Sequence, residues 1–113
     1  MSDADLAMMD DIVGEARVDW IDMGHAIGIV SLAEGGDDDL ALLRRAGGLV
    51  ARLVREGRLV PGDVGTGRGA FVPWPSAPEA SARFLEEYVA QVVAGTTPFE
   101  PWQPCLFAPG EGG

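Results

Sequence analysis

One segment of this chain leaves little choice of structure. Between Asp38 and Glu56, at about 100° per residue, Leu42, Ala46, Leu49, Val50, Leu53 and Val54 gather on one arc. Arg44, Arg45, Arg52 and Arg55 gather on another, about 100° wide. A helix separates these two sets, and such a helix must bury its apolar arc against other elements. The run Asp37-Asp38-Asp39 suits the positive N-terminal end of that helix, and Gly57 is placed as a left-handed stop just past its last turn. Gly47 and Gly48 weaken its middle by about 1 kcal/mol each relative to alanine, and they permit a close crossing by a neighbouring helix.

The remaining elements are arranged around this one. Residues 3–14 read as a short helix with Ser2 or Asp3 as cap, Leu6, Met9 and Val13 at helical spacing, and Gly14 as its end. Arg17 to Ile21 alternates apolar with polar, as a brief strand or extended link. Asp22 is placed to cap a second helix to about Ala33, with Met23, Ile27 and Val30 on one side. After Gly57 come two strand candidates, Arg58 to Val60 and Ala70 to Trp74, joined by the glycine-rich stretch 61–69, read as a hairpin tip. Ser76-Ala77-Pro78-Glu79 has the form of a capping box for a fourth helix. Its expected buried stripe is Ala80, Phe84, Leu85, Tyr88, Val89 and Val92, and Gly95 closes it. Helix, short strand, two helices, hairpin and closing helix define an α+β, mainly helical, winged-helix-like domain. It comprises a helix-turn-helix, a short β-hairpin wing and a closing helix over residues 1–96. A proline- and aromatic-rich C-terminal tail, 97–113, either folds back over the core or docks on another chain.

The stretch Leu53-Val54-Arg55-Glu56-Gly57-Arg58-Leu59-Val60-Pro61-Gly62-Asp63-Val64, with Gly69-Ala70-Phe71-Val72-Pro73-Trp74 and Glu79, resembles small uncharacterised winged-helix-like proteins of actinobacteria. The resemblance spans roughly residues 18 to 90. It implies the fold and carries no functional residue with it. The absence of lysine and asparagine, beside abundant Ala, Gly, Pro and Asp, fits the codon usage of a GC-rich genome.

Composition removes several chemistries. The absence of Lys takes away the phosphate-loop lysine, the Schiff base and the Ser-Lys pair. One His and one Cys cannot form the His/Cys ligand set of a structural zinc, and lone Cys105 cannot form an intramolecular disulfide. The Gly65-x-Gly67-x-Gly69 run lacks nucleotide-binding spacing. His25, three residues after Asp22, has no marked nucleophile to serve. The expectation is therefore no catalytic residue, no metal and no cofactor. Met1 to Asp11 carries acids where a signal peptide carries bases, and no apolar run approaches membrane-spanning length, so the expected location is cytoplasmic.

Charge frames the choice of partner. The chain carries −10, yet six arginines face two carboxylates between Leu40 and Ala70, so that window is +4 and the remainder −14. The acidity, the aromatic tail and the missing catalytic parts favour a protein-interaction module, such as an adaptor or an immunity or antitoxin protein. Arg44, Arg45, Arg52, Arg55, Arg68 and Trp102 are its candidate contact residues. The alternative is a winged-helix DNA-binding transcriptional regulator that uses the Arg-rich third helix and wing, residues 44–68, against phosphate and guanine. No membrane partner is expected. A further alternative is that those arginines meet the molecule's own acids, or the acids of a second subunit in a homodimer.

Overall fold

The computed structural model describes residues 2–65 and 69–111. It contains four helices, α1 (Asp3–Val18), α2 (Met23–Glu34), α3 (Asp39–Arg55) and α4 (Pro78–Ala94). Three strands, β1 (Leu59–Val64), β2 (Phe71–Pro73) and β3 (Leu106–Pro109), form an antiparallel sheet in the order β2-β1-β3. The protein is thus an α+β chain, mainly helical.

The helix starts follow simple side-chain chemistry. Ser2 Oγ accepts from the Asp5 amide and the Asp5 carboxylate accepts from the Ser2 amide, a closed capping box. Asp22 accepts from the His25 amide at 2.8 Å, and Asp38 accepts from the amides of Leu40 and Ala41 at 3.1 and 3.3 Å. α3 ends as expected, with Gly57 at φ 78° and its neighbour Arg58 donating back to Leu53.

Other boundaries differ from the sequence pattern. α1 does not stop at Gly14 but continues to Val18, because Ile12, Val13 and Ala16 bury on one face and outweigh the glycine's modest helix penalty. The expected strand at 17–21 shrinks to Ile21, which exchanges two backbone hydrogen bonds with Phe107. Ser76 does not cap α4. The cap position is Ala77, without a side-chain bond; Ser76 Oγ is bonded to Ser81 Oγ, and Glu79 turns to Arg55. Leu6, Ala80 and Phe84 are exposed, and α4 buries Ser81, Ala82, Leu85, Tyr88, Val89 and Val92.

β1 runs on through Pro61 and Gly62, which the sequence places in a turn. Phe107 spends both backbone groups on Ile21, on the side of β3 away from β1, so Pro61 opposite it loses no ladder bond there. The Pro61 carbonyl faces the other way and accepts from Trp74. A Cβ at Gly62 would lie 2.5 Å from both the Phe71 ring and the Val72 carbonyl, so glycine lets the two strands close.

The tail lies against the rest of the molecule. Cys105 and Phe107 are buried, and β3 pairs along β1 from Leu59↔Pro109 to Gly62↔Leu106. Phe107 joins a core that includes Met8, Ile12, Met23, Leu53 and Leu85. α3 packs most extensively on α4, then on α2. Gly47 makes the first of these crossings close, since its missing Cβ would meet Val89 Cγ2 at 2.6 Å.

Candidate functional site

The arginines of α3 project from a helix whose buried face is occupied by Leu43, Ala46, Leu49, Val50, Leu53 and Val54, so they must lie toward neighbouring helices or solvent. Most meet the molecule's own carboxylates. Arg45 holds Glu34 of α2 through two bonds, at 3.0 and 3.1 Å, and also binds Asp5 of α1. Arg55 binds Glu79 and Glu86 of α4, the latter at 2.9 Å. Arg58, after the helix, reaches Asp10 of α1 at 2.8 Å. Arg52 pairs within α3, with Glu56 one turn on. Arg44 makes no ion pair among the described residues. Arg68 lies outside the described residues.

This pairing sets the electrostatics of the face. Hydrogen bonds from Arg45 hold the Asp5 and Glu34 carboxyls below their ordinary range, and those from Arg55 do the same for Glu79. The guanidinium pKa values of Arg45 and Arg55 are raised in turn, chiefly by Glu34 and by Glu86. Each of these two arginines is met by two carboxylates, so neither adds positive charge to the surface.

Arg44, unpaired among the described residues, and Arg52, paired only within its own helix, stand one turn on either side of Gly48. With Glu86 and Glu56 they border an open groove of about 560 Å³ along α3. It adjoins a second, of about 440 Å³, floored by Gly47, Val89, Ala90, Val93 and Ala94. Among the described residues Trp102 makes no hydrogen bond to any of these arginines. It is 59% exposed on the turn before β3, next to Pro101, whose carbonyl accepts from Gly24 at the start of α2.

The remaining candidates have structural employment. Asp22 caps α2 and does not orient the His25 ring, whose Nε2 lies 3.4 Å from Glu15. Burial pushes the Cys105 thiol up to about 12, which keeps it protonated and unreactive at neutral pH. Among the described residues no cluster of His, Cys, Asp or Glu is arranged to hold a metal, and no helix is long and apolar enough to cross a membrane.

One surface had no counterpart in the motif reading. Between α1 and α2 runs an open groove of about 540 Å³, bordered on α1 by Asp10, Asp11, Gly14 and Glu15 and on α2 by Ile29, Leu32 and Ala33. The sequence signal for it was the composition of α2, which has apolar residues on every side. No protein-family model, no curated protein and no solved structure matches this chain.

Proposed function

We propose that this chain is a non-catalytic protein-interaction domain of winged-helix-like architecture, of the adaptor or immunity and antitoxin type. The observation that carries the reading is the internal neutralisation of α3. Arg45, Arg52, Arg55 and Arg58 are matched by Asp5, Glu34, Glu56, Glu79, Glu86 and Asp10. A recognition helix for DNA needs those guanidiniums free for phosphate and base edges. Here the carboxylates beside them would face the duplex as well. Large apolar side chains, by contrast, stand in solvent, among them Leu32 at 91% and Val18 at 82% exposure.

The winged-helix-like part of the proposal draws support from the helix pair α2–α3, the β1–β2 hairpin that follows it, and Ile21 joining the sheet edge between α1 and α2. The similarity to actinobacterial proteins of that shape belongs to the same proposal. The DNA-binding alternative keeps one observation in its favour, the exposed Arg44, without an ion pair among the described residues, beside the exposed Arg52, whose one partner is Glu56 of its own helix. Two such contacts to phosphate correspond to a shallow salt dependence, with a log–log slope of about −2.

The test is a pull-down from native extract at moderate salt, with and without nuclease. A stoichiometric protein that survives nuclease is the expected result. Recovery of DNA, with proteins lost on nuclease treatment, would mean that the α3 stripe binds nucleic acid and that the interaction reading is wrong.

A further inference from the structure

We infer that the groove between α1 and α2 docks a basic amphipathic helix of a partner protein, its apolar side chains on Leu32 and its cations on Asp11 and Glu15. The inference rests on the protein-interaction reading and adds to it a site and the chemistry of the partner.

The first observation concerns α2. Of its twelve residues only His25, Ser31 and Glu34 are polar. Met23, Ala26 and Val30 are buried in the core, but Gly28 and Leu32 on the opposite side and Ala33 in the last turn are exposed to solvent, with Ile29 half-buried. A helix that is apolar all round is normally covered all round. This one is covered on one side.

The second observation is the wall beside it. α1 lines the groove with Asp10, Asp11 and Glu15, and at Gly14 it leaves a notch, with nothing within 4 Å of where a Cβ would stand. Asp11 has no hydrogen bond or ion pair among the described residues, Glu15 has only the His25 contact at 3.4 Å, and Asp10 has only Arg58. Nothing here resembles the two-to-one matching around Arg45 and Arg55.

An exposed apolar side chain, Leu32, beside two carboxylates that no arginine meets, Asp11 and Glu15, selects its occupant. Nucleic acid and anionic bilayers are repelled by the wall and by the net charge of −10. A small cation gains nothing from Leu32. A second copy would offer Arg44 and Arg52, but these flank Gly48, which supplies no apolar side chain to fill the notch. A helix bearing leucine-sized residues one turn apart, with Lys or Arg beside them, meets Leu32 and the carboxylates together.

The probe is a fluorescent synthetic peptide of about 18 residues with Leu at i, i+3, i+4 and i+7 spacing and Lys elsewhere, beside a scrambled peptide of the same composition. Fluorescence anisotropy is read at about 0.15 M salt. The patterned peptide is expected to bind more tightly than the scrambled one. Leu32→Asp, and separately Asp11→Lys with Glu15→Lys, are expected to weaken it by about tenfold or more. Glu87→Lys with Glu111→Lys changes the net charge as much on other surfaces and is expected to change binding by about twofold at most. Leu32 is exposed, so its variant should melt like the parent.

Equal binding of the scrambled peptide, or equal loss in the Glu87/Glu111 variant, reduces the effect to bulk charge and overturns the proposal. So does a dimer in sedimentation velocity that Leu32→Asp dissolves, since a second copy would then cover the groove. A protein captured equally well by wild type and Leu32→Asp overturns this site and leaves the interaction reading standing. Capture of DNA in place of protein removes that reading itself.

Discussion

α2 and α3 lie side by side, yet they treat solvent in opposite ways. α3 segregates its residues sharply, with leucine and valine inward and arginines outward, and it finds carboxylates for nearly every arginine. α2 has almost no polar residue to turn outward, so the same act of packing leaves Leu32 uncovered. Periodicity therefore says which side of α3 is buried and says little about α2. An amphipathic helix is complete within its own domain. An apolar helix on the surface carries information about something outside it.

The contrast can be broken from either side. Leu53→Ala, which empties a fully buried site on α3, should cost about 2–5 kcal/mol in denaturant unfolding. A loss below about 1 kcal/mol would mean that the α3 seam is looser than described. The two adjacent glycines sharpen the argument within one helix. Gly47→Ala sets a methyl against Val89, a β-branched side chain with little rotamer freedom, and should cost about 1–3 kcal/mol. Gly48→Ala meets nothing within 4 Å and should stabilise by up to about 1 kcal/mol. Equal effects from the pair would refute the close α3–α4 crossing.

Acid titration probes the charge matching. The carboxylates of Asp5, Glu34 and Glu79 are held below their ordinary range, so they stabilise the fold while ionised and lose that contribution as pH falls through and below about 4. Glu34 and Glu79 are exposed and Asp5 is only part-buried, so the drop in melting temperature on the acid side is expected to be modest. Arg45→Gln should flatten it by freeing Asp5 and Glu34, and an unchanged acid limb would show that the pairs add nothing. The smallest effect belongs to α2. Leu32→Ala should move stability by no more than about 0.5 kcal/mol, and a larger loss would place that side chain in the core.

Much of the helical layer was legible in the sequence, because caps and stops are local chemistry. Asp22, Asp38, Gly57 and Gly95 all act within a few residues of where they stand. The sheet was less legible. Pro61 and Gly62 look like turn residues, and only the distant Phe107, Phe71 and Val72 explain why they are extended. Proline-rich spacing likewise hid β3 in the tail. Leu6 and Phe84 fit a helical stripe but fall outside the buried one, a difference fixed by how neighbouring helices cross. The fate of the arginines was beyond any single-helix reading. Asp5, Glu34, Glu79 and Glu86 come from three other helices, and only the fold brings them to α3.

The place of β3 has a consequence for synthesis. Its Phe107 bridges Ile21, near the start of the chain, on one side and strand β1 on the other. A nascent polypeptide can therefore assemble its four helices early, but it cannot close its sheet until residues 106–109 have left the ribosome. Until then the β1 edge and the cavity that Phe107 fills stay open to water, and to chaperones. Completion of the core thus waits on residues 106–109.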